Sequence, residues 1–152
     1  MNQYQAKNII NLAVAGHSGS GKTSLAEAML YLAGVSDRRG KVGDGNTVCD
    51  YDPEEIRRKA SISAASAPLE WKNKKINLLD ASGLFDFEGG MCEAMRAADT
   101  VLVVIDTLQK VRISNSAANP YANDYQDLSS LKALADRYRV AILAIHHIRK
   151  MR

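Results

Sequence analysis

Residues 16–23 read Gly-His-Ser-Gly-Ser-Gly-Lys-Thr, between the apolar run Ile9–Ala15 and the stretch Lys22–Ala33, rich in alanine, leucine, methionine and glutamate. This GxxxxGK[ST] spacing constrains the chain more than any other feature. Its glycines let the backbone curl until the N–H groups point inward, a nest for anionic oxygens. A helix leaving the loop at once adds the positive end of its dipole. The flanks suit both requirements: Ile9–Ala15 reads as a buried strand, and Lys22–Ala33 as a helix stopped by Gly34. The residues expected around a nucleotide's phosphates are Gly16, His17, Ser18, Gly19, Ser20, Gly21, Lys22, Thr23 and Ser24. Lys22 is expected at the β- and γ-phosphates and the Thr23 hydroxyl on Mg²⁺. His17 reads as a solvent-facing spacer.

The rest of the chain alternates in the same way. Asp37–Pro53 is rich in glycine, aspartate and asparagine and reads as a long loop. Glu54–Lys59 reads as a helical turn behind Pro53. Ser61–Trp71 and Lys75–Asp80 pair as a hairpin around Lys72–Lys74. Gly89–Ala98 is a helix, and Thr100–Asp106 a second buried strand. Arg112–Asn123 is a polar loop. Tyr125–Tyr138 is helical because Tyr125, Leu128, Leu131, Leu134, Ala135 and Tyr138 recur every three or four positions. Val140–His146 is the last strand. The order predicts one α/β domain over residues 1–152, with a mostly parallel five-stranded sheet between two helical layers. Ser61–Trp71 is the antiparallel edge. Ligands in such sheets sit beyond the carboxyl ends of the strands, so Ala15, Asp80, Asp106 and His146 should converge. Asp80, which closes a strand beside the phosphate loop, is placed to hold Mg²⁺, usually through water. Gly83, three residues on, could offer its N–H to a γ-phosphate with no side chain in the way.

Composition excludes several classes. With 46% hydrophobic and 24% charged residues, the chain reads as a soluble globular domain. A net charge of +3 makes no case for nucleic acid. Cys49 and Cys92 have no CxxC or paired-histidine spacing, which argues against a disulfide or zinc site and fits a reducing cytoplasm. No secretory layout opens the chain, and no apolar run could span a membrane. The oligomeric state is not legible.

Several stretches carry a resemblance. NIINLAVAGHSGSGKTSLAEAML, RRGKVGDGNTVCDYDPEEIRR, SISAASAPLEWKNKKINLLD and GLFDFEGGMCEAMRAADTVLVVID resemble the GTPase domain of elongation factor G and related translational GTPases. The resemblance covers residues 8–106. It implies that Gly40–Ser63 is switch I, that Ser61 stands where a Thr or Ser closes on Mg²⁺, and that Asp80–Gly83 is the DxxG of switch II. Two departures follow. The family's Asp-Thr-Pro-Gly is here Asp80-Ala81-Ser82-Gly83, and the His that positions the attacking water in many members is Leu84, which can neither donate nor accept. The family's guanine-reading Asn-Lys-x-Asp motif does not occur in the chain.

The later residues, about 104–151, are similar instead to RecA-type ATPases of replicative helicases. That likeness would make Asp106 the Walker B acid, a second candidate for Mg²⁺, and would put His146 and His147 at a γ-phosphate sensor position. The chain thus reads as a chimera, residues 1–106 from one lineage and 107–152 from the other, with a seam near 104–107. The expected strand order is 2-3-1-4-5, or 2-3-1-5-4 if both ancestral neighbourhoods persist. The implied function is binding of GTP or ATP with Mg²⁺, with at most slow hydrolysis. The alternative is a chimeric scaffold whose phosphate loop is merely inherited. With the translational resemblance ending inside the GTPase domain, neither a ribosome nor nucleic acid is an expected partner.

Overall fold

Seven mostly apolar residues form β1 (Ile9–Ala15), and α1 (Lys22–Leu32) leaves the phosphate loop immediately after it. The computed structural model describes residues 3–111 and the backbone of 120–146, with side chains from 126 onward. α2 (Pro53–Arg58) carries proline at its first position and a full capping box between Asp52 and Glu55, which explains why so short a helix forms. Then come β2 (Ala65–Trp71), β3 (Lys74–Asp80), α3 (Glu88–Ala97), β4 (Thr100–Asp106), α4 (Pro120–Tyr138) and β5 (Ala141–Ile145).

The sheet order is β2-β3-β1-β4-β5, and only β2 runs antiparallel. The alternative 2-3-1-5-4 is therefore excluded. Leu12–Ala15 pair with Thr100–Val103, so β4 takes the place beside β1 and leaves β5 the edge. Two apolar layers flank the sheet. On one face Val14, Leu78 and Val104 pack with Ala26 and Leu30 of α1. On the other Ala13 and Ala81 meet Ala94 of α3. Small side chains on that second face let α3 approach closely. β1 is thus buried from both sides, which fixes the loop that follows it.

Three details depart from the sequence expectations. β2 begins at Ala65, because Ser61 turns toward α1 and not into the ladder. α4 begins at Pro120, at the far end of the expected Arg112–Asn123 loop; residues 112–119 lie outside the described part. The apolar stripe of α4 is only partly used: Leu131 and Ala135 are half-buried, whereas Leu128, Leu134 and Tyr138 are exposed. Trp71 is exposed as well, and Tyr138 lies beneath the Arg137 guanidinium at 5.3 Å.

The β2–β3 hairpin turns on two residues, Lys72 and Asn73, both at positive φ (47° and 63°). Lysine is a poor occupant of that region, and Asn-Gly is the pair such tight turns favour. Replacing Lys72-Asn73 with Asn-Gly is expected to stabilise the fold by about 1 kcal/mol. A melting curve showing no gain would mean the turn is not held in this conformation.

Candidate functional site

Gly83 shows how closely two loops meet. A Cβ there would run into the Gly16 carbonyl oxygen, the Lys22 Nζ and the His17 carbonyl carbon, so only glycine fits. The Ser18 N–H donates to the Gly83 carbonyl at 2.9 Å, fastening the phosphate loop to the segment after β3. Gly16, at φ 149°, is packed against the Val104 carbonyl so tightly that a Cβ would collide with it. The phosphate loop is thus gripped from both neighbouring strands. Lys22 donates to the His17 carbonyl at 3.0 Å across the loop. Burial lowers its pKa, and the charge of Asp80 acts against that. His17 itself is exposed, as expected of a spacer.

A cleft of about 210 Å³ opens over this loop. Ser18, Gly19, Gly21, Lys22, Thr23 and Ser24 line one side, Ser82, Gly83 and Leu84 another, and Val42, Asp50 and Lys59–Ser61 the third. Six of the residues expected at the phosphates thus meet Gly83 and Ser61 around the cleft, whereas Gly16, His17 and Ser20 do not line it. At the third wall, Ser61 donates to an Asp50 carboxylate oxygen at 2.6 Å and lies 3.2 Å from the Thr23 hydroxyl. With its own proton given to Asp50, Ser61 accepts from Thr23. The Thr47 hydroxyl donates to the other Asp50 oxygen at 3.3 Å.

Asp80 ends β3 opposite Val14 and is 1% exposed, with no hydrogen-bond partner for either carboxylate oxygen. Burial pushes its pKa up to about 6; the Lys22 charge pulls it down, and Asp50 and Glu27 push it further up. Two orphaned carboxylate oxygens beside a hydroxyl are what a hard divalent cation would satisfy. Thr23, Ser61, Asp50 and Asp80 all offer oxygen and none offers sulfur or imidazole, a donor set that suits Mg²⁺. Among the described residues no group of three or more His, Cys, Asp or Glu side chains could hold a metal unaided.

Asp106 lines a different cavity, of about 520 Å³, with Gly16, His17, Thr107 and Lys110; neither Thr23 nor Asp80 lines it. His146 follows β5 and is exposed, and His147 lies outside the described residues. Asp50, by contrast, carries no signal in the sequence. Nothing in the spacing of Asp44, Asp50 and Asp52 separates the one that folds inward.

A phosphate loop after β1, DxxG after β3 and a sheet ordered 2-3-1-4-5 define the P-loop GTPase fold. Residues 7–125 match the family model of the elongation factor Tu GTP binding domain, and the chain belongs to that family. The match passes the expected seam at 104–107. An elongation factor G-like protein of Mycobacterium tuberculosis is 46% identical over 95 residues, covering 62% of this chain and 13% of that protein. Elongation factor G 2 of Streptomyces coelicolor is 39% identical over 101 residues, 66% of this chain and 15% of that protein. Mitochondrial ribosome-releasing factor 2 of Drosophila virilis is 38% identical over 106 residues, 70% and 15% respectively. A crystal structure of a protein from Thermus thermophilus aligns with TM-score 0.64 at 34% identity, over 84% of this chain and 18% of that one.

These relatives correct one expectation. The sequence reading leaves the chain nothing to engage a ribosome, yet relatives named elongation factor G and ribosome-releasing factor 2 share this domain. That expectation counts only the residues left after the GTPase part. The chain spans only 13–15% of the length of those three relatives, so the count says nothing about partners. Among the described residues no helix is long and apolar enough to cross a membrane.

Proposed function

We propose that this chain is the nucleotide-binding part of a translational GTPase, which binds Mg²⁺·GTP and hydrolyses it slowly. The single observation that carries this reading is the buried, unpartnered Asp80 carboxylate beside Thr23 and Lys22 under the cleft. Gly16–Ser24 and the Gly83 N–H would hold the phosphates, with the Lys22 ammonium at the β- and γ-phosphates. Thr23, Asp80 and Ser61 would hold Mg²⁺, with Asp50 behind Ser61; bound Mg²⁺ would neutralise charge developing on the transferred phosphoryl group. Leu84 lines the cleft and supplies no group to orient water. Like its relatives named for the ribosome, the protein would work there.

Turnover is expected on the order of 10⁻⁴ per second, the unassisted range for this chemistry. Single-turnover release of phosphate from labelled GTP measures it. Because Asn-Lys-x-Asp is missing from the 152 residues, GTP and ATP are expected to bind within about tenfold of each other, roughly 1.4 kcal/mol. A hundredfold preference for GTP in competition titrations would sink that part. The second reading is a chimeric scaffold, with residues 107–152 from a RecA-type ATPase and an inherited phosphate loop that turns nothing over. It is favoured only by the missing guanine motif, and it requires that no phosphate be released.

A further inference from the structure

We infer that Glu27 and Glu55 are positioning residues, two buried carboxylates that clamp the loop on either side of Asp50 and Ser61 and thereby set the protein's affinity for Mg²⁺. The inference deepens the reading above and rests on it. Glu27 lies on α1 four residues after Thr23, on the same helix face, and has no exposed surface. Its Oε1 accepts the N–H groups of Val48 at 2.7 Å and Cys49 at 3.1 Å. The next residue is Asp50. Glu55 on α2 is also buried, and its Oε1 accepts Ile62 N–H at 2.9 Å and Ser63 N–H at 3.0 Å. The residue just before that pair is Ser61. The Glu55 Oε2 accepts the Asp52 N–H at 3.3 Å, which ties the clamp into the cap of α2.

The two sites are built alike. In each, one carboxylate oxygen takes two consecutive amides, a charge-assisted arrangement stronger than ordinary backbone pairing. Neither carboxylate lines the cleft, and burying two such groups is costly unless they hold something in place. What they hold is the pair of residues bonded to each other at 2.6 Å, with Ser61 against the Thr23 hydroxyl. Because Thr23 and Glu27 share α1, the loop is referenced to the helix that bears the metal-binding hydroxyl. The loop also passes directly over Glu27: a Cβ on Gly40 would run into its second carboxylate oxygen. The phosphates would be held by residues 16–24 and the Gly83 N–H, none of which the Glu27 or Glu55 carboxylate bonds. Loss of the clamp should therefore act on Mg²⁺ and spare nucleotide binding without metal.

The test titrates Mg²⁺ against protein loaded with a fluorescent GTP analogue, for the unmutated protein and Glu27→Met, Glu27→Gln, Glu55→Met and Glu55→Gln. Methionine keeps the volume and removes the acceptors; glutamine keeps one acceptor oxygen. The methionine variants are expected to need at least tenfold more Mg²⁺ for half-saturation, with affinity in EDTA unchanged, and the glutamine variants to stay within threefold of the parent. Amide hydrogen exchange should quicken at residues 48–49 in Glu27→Met and at 62–63 in Glu55→Met. Quickened exchange with an unmoved Mg²⁺ midpoint overturns the inference. If the methionine variants do not fold, Gly40→Ala, whose methyl would press on the Glu27 carboxylate and the Thr47 backbone and so disturb the clamp without removing its acceptors, carries the same tenfold expectation, and an unmoved midpoint overturns it equally. Should the unmutated protein bind no Mg²⁺·GTP at all, the parent reading fails and the Mg²⁺ role falls with it. Slow exchange at 48–49 and 62–63 in that protein would still establish the clamps.

Discussion

Lys22→Ala is expected to weaken GTP binding at least a hundredfold, about 3 kcal/mol, while shifting the melting temperature by only a few degrees. The asymmetry follows from where the ammonium sits. Lys22 is 6% exposed, spans the phosphate loop to the His17 carbonyl, and stands against Gly83 at the floor of the cleft. Without ligand it makes one hydrogen bond to a neutral carbonyl, worth about 1 kcal/mol. Against a triphosphate it would make charge-assisted bonds in a partly dehydrated site, where each is roughly twice as strong. Burial already lowers its pKa, so the site gains when an anion arrives to favour the charged form. Isothermal titration of both proteins with GTP in Mg²⁺ measures the loss. A loss below tenfold would show that the backbone nest alone holds the phosphates, and the assignment of Lys22 to them would fail.

Much of this is legible in the sequence, for physical reasons that differ between elements. The strands β1 and β4 match the sequence-derived limits residue for residue, because buried parallel strands leave unbroken apolar runs and turn residues at their ends. The phosphate loop is legible because its glycines answer a local backbone demand. Ser61 is assigned to a strand by its neighbours and to the metal site by resemblance; the structure keeps it out of the strand and puts its hydroxyl 3.2 Å from that of Thr23. Asp50, Glu27 and Glu55 are illegible. Each bonds to groups seven to twenty-two residues away, and at that range a buried acid has the same sequence signature as a solvated one. The exposure of Leu128 and Leu134 is illegible for the complementary reason. Periodicity says which face of a helix is apolar and nothing about how much of it is covered.

Asp80→Asn is expected to raise stability without ligand and to abolish Mg²⁺-dependent stabilisation, two effects of opposite sign from one substitution. Burial raises the Asp80 pKa to about 6, from an ordinary 3.8 in the unfolded chain. Below about pH 4 the group is protonated in both states and costs the fold nothing. Between there and pH 6 the unfolded chain has released the proton and the folded one still holds it, so stability falls as pH rises. Above pH 6 the slope ends, leaving a deficit on the order of 3 kcal/mol attributable to this carboxylate. Asparagine cannot ionise, so the variant should lose that slope and melt several degrees higher at pH 7.5. Its amide inherits the unpartnered surroundings, which keeps the gain below the full deficit. With Mg²⁺·GTP the order should reverse, since a cation favours the ionised acid and the amide gives up that charge. The measurement is a pair of melting series from pH 4 to 8, with and without Mg²⁺·GTP. A variant that melts lower than the parent without ligand and still gains fully from Mg²⁺ would mean that Asp80 is a structural acid. A higher ligand-free melting temperature with the Mg²⁺ gain erased would identify the buried charge as one the fold tolerates for the ion it binds.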